Sequence, residues 1–225
     1  DIRWLGLNWD EGPDVGGPHA PYTQSDRTAL YQAALERLEG QGLVYPCFCT
    51  RADLHSARAP HVGEEFIYQN TCKGISPEVR SERMSCERYA LRLDVAAAPS
   101  PLCFADAFQG ESCFDLVREA GDFIIKRSDG VFAYQLAVVV DDAASGIDSV
   151  VRGVDLLTST PKQIYLQRLL GLPTPVYGHV PIFVDESGRK LSKRNKDASL
   201  SYLIDDLGLS AEVILGYLAY CSGII

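Results

Sequence analysis

Residues 132–184 read FAYQLAVVVDDAASGIDSVVRGVDLLTSTPKQIYLQRLLGLPTPVYGHVPIFV, and their pattern decides the fold. Tyr134–Ala144 is the best candidate for a buried helix, because apolar side chains fill it and Gly146 ends it. Residues 147–151 read as a strand. Thr158-Ser159-Thr160-Pro161 is a strong helix start, since proline near the first turn gives up an N–H that has no helical partner there. That helix runs to Leu170 and stops at Gly171, and residues 176–184 are extended. Counted from Phe132, the order strand–helix–strand–helix–strand predicts a doubly wound parallel sheet in an α/β fold. Ligands of such sheets lie at the carboxyl ends of the strands.

Outward from that stretch, Asp185 to Gly188 read as a turn. Lys190-Leu191-Ser192-Lys193-Arg194 then places several cations and one hydroxyl on a loop that follows a strand. This suits a polyphosphate, because a lysine ammonium is a compact charge able to follow phosphate as charge develops. The same five residues taken alone also read as a solvated basic turn. Beyond the loop, helices are expected near 201–206 and 211–220.

Towards the amino terminus, residues 1–7 read as the tail of a helix ended by Gly6, and residues 8–22 as a loop rich in glycine and proline. Ser25-Asp26 are positioned to cap a helix over 27–38, whose apolar positions are Leu30, Tyr31, Ala34, Leu35 and Leu38. Residues 43–45 form a strand candidate, Thr50 caps a short helix to about residue 57, and residues 76–86 are polar and helical. Residues 89–93, 102–108, 115–117 and 123–126 read as short strands, clustered like a β-rich insertion.

Apolar residues make up 46% of the 225-residue chain and charged residues 23%, an ordinary globular composition. No apolar run has the length of a membrane span, and no secretory signal opens the chain. The expectation is a cytoplasmic protein without membrane contact. The net charge of -9 argues against a protein that grips nucleic acid over its whole surface, so any RNA must meet a local patch. Seven cysteines without a secretory segment argue for reduced thiols or a metal site and against a disulfide framework.

Cys47, Cys49, Tyr68 and Cys72 form the second constellation. Three thiolates leave one tetrahedral zinc position open, which the Tyr68 phenolate could complete, while His55 and His61 in the intervening excursion are more usual ligands. Buried reduced thiols remain the alternative on spacing alone. Cys86, Cys103, Cys113 and Cys221 read as core or surface thiols.

Several segments, in order, resemble the glutamyl-tRNA synthetase family of class I aminoacyl-tRNA synthetases. They are residues 10–18 with 21–27, Val44-Tyr45-Pro46-Cys47-Phe48-Cys49-Thr50, Val138-Val139-Val140-Asp141-Asp142, Val151-Arg152-Gly153 and Thr158-Ser159-Thr160-Pro161-Lys162-Gln163. Lys190-Leu191-Ser192-Lys193-Arg194 is similar to the family's KMSKS element. Within the family the chain is most similar to the short branch, the glutamyl-Q tRNA(Asp) synthetases, because only residues 196–225 follow the basic loop and Asn195 also matches that branch.

The resemblance implies a Rossmann-like catalytic domain with a zinc-bearing, β-containing insertion and a short helical C-terminal tail. Residues 1–45 would be the remainder of the first half of the nucleotide-binding domain, 46–122 the acceptor-type insertion, 123–195 the second half with the loop, and 196–225 the tail. It implies ATP-dependent, AMP-forming activation of L-glutamate, with ATP and Mg as substrate, and glutamyl transfer to queuosine in the anticodon loop of tRNA(Asp). Lys193 would contact ATP with Lys190 assisting, and Tyr134 and Arg152 would hold glutamate. Structural zinc would sit on Cys47, Cys49, Tyr68 and Cys72, and the protein would be a monomer. Spacing alone reads Tyr134 as a core aromatic and Arg152 as a surface ion pair. The family's HIGH-type element is not found, which leads us to expect a trimmed chain or fragment, inactive by itself. A glutamyl-tRNA synthetase fragment charging the 3′ end of tRNA(Glu) and a noncatalytic zinc-bearing RNA-binding module are the rival readings.

Overall fold

The computed structural model describes residues 1–50, 52–53, 67–184, 188, 190 and 200–223. Among the described residues two sheets carry the architecture. The first is antiparallel, with β1 (Val44–Cys47), β2 (Ala90–Leu93) and β5 (Phe123–Lys126) in the order β1-β2-β5. The second contains β3 (Leu102–Asp106), β4 (Gly110–Phe114), β6 (Ser149–Gly153) and β7 (Val176–Val180) in the order β4-β3-β7-β6. In it β3, β7 and β6 run parallel and β4 turns back antiparallel on β3.

Among the helices, α1 is Thr28–Gly40, α2 is Pro77–Cys86 and α3 is Leu116–Glu119. α4 is Tyr134–Ala144 and α5 is Thr160–Leu170, the crossover between β6 and β7. The expected bounds of α4 and the expected C-terminus of α5 are observed, with Gly171 in the left-handed region at φ 61°. There a glycine closes the helix without the Cβ penalty.

One apolar core unites both sheets. Tyr31, Leu35 and Leu38 of α1, Leu136, Val139 and Val140 of α4, and Ile164, Leu166 and Leu170 of α5 are buried in it with Leu93, Leu102 and Ile125. Tyr31 also meets Phe132 edge to face at 5.5 Å. Leu30, expected on the same apolar face, is 43% exposed.

Several expectations are corrected. Phe132 is not a strand of the parallel sheet; it bridges antiparallel to Lys126 and closes a hairpin after β5. The third parallel strand is instead β3, reached by a pairing of Asp106 with Tyr177 that no local pattern encodes. Residues 115–117 are not a strand: Asp115 accepts from the Arg118 amide and caps α3. Ser25 and Asp26 do not cap α1, which follows directly from a 3-10 turn over Gln24–Arg27. Cys103 and Cys113 are not free thiols. The β3–β4 hairpin places them as register partners, and they are bonded to each other with Cα atoms 4.1 Å apart. Cys86 and Cys221 are free and exposed, as expected.

After β7 the chain follows Pro181 out of the sheet, and Val184 bridges Lys190. Lys193 and most of the basic loop, like His55 and His61, lie outside the described residues. A π-helical turn, Tyr202–Asp206, precedes α6 (Ala211–Cys221), which Ser210 caps through the Val213 amide. No helix among the described residues is long and apolar enough to cross a membrane.

Candidate active site

The parallel strands present a polar cluster at their carboxyl ends, the edge where doubly wound sheets bind ligands. Asp106 is the last residue of β3, and Arg152 and His179 occupy the fourth positions of β6 and β7, opposite each other in register. The Arg152 Nε donates to His179 Nε2 at 3.0 Å. Its Nη2 donates to Thr160 Oγ1 and to Gln163 Oε1, both at 2.8 Å. Its Nη1 reaches the Tyr134 hydroxyl at 3.4 Å. Gln163 in turn donates to Gln135 at 2.9 Å, and Gln135 to Ser159 at 3.1 Å.

The first turns of α4 and α5 therefore build this polar cluster together with the strand ends. Tyr134 and Gln135 open α4, and Thr160 and Gln163 lie in the first turn of α5. Tyr134 is 47% exposed, so it is not the core aromatic that spacing suggests. Arg152 is not a surface ion pair either. Among the described residues no hydrogen-bond partner of its guanidinium is a carboxylate. A fixed cation with no directly bonded counter-charge, beside an exposed phenol, is suited to an anionic ligand such as a carboxylate.

Asp106 and His179 are residues the sequence reading missed. His179 Nδ1 meets Asp106 Oδ2 at 2.5 Å, and both side chains are fully buried. Asp106 Oδ1 accepts from the backbone amides of His179, Phe108 and Gln109, each at 3.0 Å. Burial pushes the Asp106 carboxyl up, but the hydrogen bonds from the His179 ring and these amides outweigh it and hold the group well below the ordinary aspartate value. A histidine embedded in the apolar stretch Val176–Val180 was the signal available for finding this pair.

Lys190 lies at the same edge. Its Nζ pairs with Asp155, in the 3-10 turn Val154–Ser159 that follows β6. Gly153 makes the approach possible, since a Cβ there would lie 2.5 Å from Asp155 Oδ1 and 2.9 Å from Ile182 Cγ2.

The sulfur cluster forms as a second, smaller centre. The Cys47, Cys49 and Cys72 sulfurs lie within 4.8 Å of one another. Cys49 and Cys72 are 3.6 Å apart, close to the roughly 3.8 Å edge of a tetrahedron with zinc–sulfur bonds of about 2.3 Å. The Tyr68 hydroxyl is 3.5 Å from Cys47 and 3.8 Å from Cys49, and it accepts from the Cys72 amide at 2.8 Å. The set fits a metal ion: three soft donors and a phenol converge in a mostly buried pocket. Burial drives the Cys49 thiol up to about 12 and its sulfur neighbours add to the rise. At Cys47 burial is outweighed by hydrogen bonds from Tyr68 and Arg92, and the thiol is lowered. The Arg92 guanidinium also lies 3.7 Å above the Tyr68 ring. Behind the cluster, Lys73 and Tyr45 meet the buried Asp122 at 3.1 and 2.7 Å, tying it to the antiparallel sheet.

Residues 1–222 match the family model for the catalytic domain of class I tRNA synthetases (E and Q). The chain belongs to this family. Its members are ATP-dependent ligases, and the resemblance seen in the sequence is confirmed. A glutamyl-Q tRNA(Asp) synthetase of Symbiobacterium thermophilum is 47% identical over all of this chain and 70% of its own length. Glutamate–tRNA ligase 2 of Alkalilimnicola ehrlichii is 42% identical over 97% of this chain and 46% of its own length. Among solved structures, the glutamate-tRNA synthetase of Elizabethkingia anophelis superimposes with a TM-score of 0.73 at 26% identity, covering 87% of this chain and 41% of that one. The chain thus has the class I α/β catalytic fold and spans part of the length of these synthetases.

Proposed function

We propose that this chain carries the catalytic centre of a glutamyl-Q tRNA(Asp) synthetase, which activates L-glutamate with ATP and Mg and transfers the glutamyl group to queuosine in the anticodon loop of tRNA(Asp). The observation that carries the reading is Arg152, held at the carboxyl edge of the sheet without a carboxylate partner among the described residues and next to Tyr134. In this reading Arg152 and Tyr134 grip glutamate. The acid's carboxylate attacks the α-phosphate of ATP, a new oxygen–phosphorus bond forms, and pyrophosphate leaves with the electrons of the broken one. Lys193, with Lys190 assisting, neutralises charge on the phosphates. Little covalent work falls to the protein, whose contribution is position and electrostatics.

Zinc on Cys47, Cys49, Tyr68 and Cys72 would be structural, clamping a tRNA-facing insertion within residues 46–122. Residues 1–45 and 123–195 would form the two halves of the nucleotide-binding domain, 196–225 a helical tail, and the protein would act as a monomer.

The test is charging of purified tRNA(Asp), with and without queuosine, using labelled glutamate and the full-length protein. Label on queuosine-bearing tRNA(Asp) alone supports the reading. A second reading has its own support in the 42% identity to a glutamate–tRNA ligase over 97% of the chain. Label on the 3′ end of tRNA(Glu) would establish that alternative and remove the first.

A further inference from the structure

We propose that Asp106 and His179 are positioning residues that fix the direction of the Arg152 guanidinium. The proposal rests on the reading that Arg152 receives the amino-acid carboxylate. It starts from a constraint on protons. An arginine Nε can only donate. Because Arg152 Nε lies 3.0 Å from His179 Nε2, that ring nitrogen accepts, and the single ring proton resides on Nδ1. Nδ1 then donates to Asp106 Oδ2 at 2.5 Å. Asp106 cannot turn away, because its other oxygen is held by three backbone amides. No water can replace either contact, since both side chains are fully buried.

The chain carboxylate–imidazole–guanidinium crosses three parallel strands, from β3 through β7 to β6. Its order has a chemical reason. An aspartate bonded directly to Arg152 would neutralise it and compete with an incoming carboxylate. A neutral ring between them passes on orientation without passing on the negative charge, so the cation stays available. Thr160 and Gln163 hold both hydrogens of Nη2. Among the described residues Nη1 meets only Tyr134, at 3.4 Å, so this nitrogen retains donor capacity for a ligand.

The test uses glutamate-dependent ATP–pyrophosphate exchange and imidazole nitrogen NMR on the full-length protein. Asp106→Asn offers Nδ1 a donor and moves the ring proton to Nε2, where it opposes the Arg152 N–H. The glutamate KM is expected to rise about tenfold or more, as for loss of a hydrogen bond to a charged group, while the ATP KM stays within about twofold. The His179 nitrogen shifts should change from the Nδ1–H to the Nε2–H pattern. His179→Gln, which can return an oxygen acceptor to Arg152, should lose less glutamate affinity than His179→Leu. In the His179→Gln background, Asp106→Asn should add no further loss. A folded Asp106→Asn protein with an unchanged glutamate KM, or with both KM values raised equally, overturns the proposal, as does an Nε2–H ring in the unaltered protein. If Arg152→Lys leaves the glutamate KM unchanged, the amino-acid reading fails instead, and the ring tautomer still decides whether Asp106 and His179 hold Arg152.

Discussion

Tyr134 Oη lies 3.4 Å from Arg152 Nη1, joining the first residue of α4 to the carboxyl end of β6. Eighteen residues separate the two in sequence, and the fold alone brings a phenol and a guanidinium together. Arg152→Ala should therefore weaken glutamate-dependent pyrophosphate exchange by about a hundredfold, the equivalent of one or two charge-assisted hydrogen bonds. Tyr134→Phe, which deletes one oxygen, should weaken it by about tenfold. Steady-state kinetics with glutamate and ATP varied separately will check both, and the loss should fall on glutamate.

Cys47→Ser should release metal. Zinc bound per protein chain, measured by elemental analysis after dialysis, should fall towards zero, and thermal unfolding should shift down because metal affinity is coupled to folding. The Arg152 cluster lies on the other sheet, so ATP binding should survive the change. Undiminished zinc in the variant would remove Cys47 from the ligand set.

Reduction of the Cys103–Cys113 bond should cost up to about 3 kcal/mol, as expected for a closed loop of this size. Denaturant titrations with and without reductant will measure it. Cys103→Ser should be destabilised by a similar amount without reductant and match the parent in its presence. Equal stability under all conditions would mean that the bond does not form in solution.

Acid should unmask Asp106. Its carboxyl is held below the aspartate reference of 3.8, so the unfolded chain takes up a proton before the folded one does. The contribution to stability is complete above about pH 4 and is lost as pH falls through the folded-state value. Denaturant midpoints for Asp106→Asn should lie below those of the parent near neutrality, and the gap should narrow as pH drops below about 4.

The elements that could be read from sequence were those whose signals are local. α4 is a continuous apolar run with a glycine stop, and the end of α5 is set by Gly171. The cysteine trio was legible from spacing, and the approach of Arg152 to Tyr134 from family likeness. What stayed hidden depends on contacts distant in sequence. β3 joins the parallel sheet through one register pair 71 residues away, Asp106 with Tyr177, and nothing in Leu102–Asp106 announces it. Asp106 and His179 were hidden for the same reason, as each looks unremarkable until the strands are laid side by side. Asp115 was misread because a capping carboxylate before an apolar pair also fits strand alternation.

The hydrogen that stands for a side chain at residue 153 leaves room for the carboxylate that holds Lys190. Residue 153 follows Arg152 and packs so tightly that a methyl group there would collide with Asp155, the anchor of Lys190. To admit it, the Asp155 carboxylate would have to rotate from its place beside Lys190, and the Ile182 methyl would have to give way. Gly153→Ala would thus loosen the hold on the ammonium while leaving both charges in place.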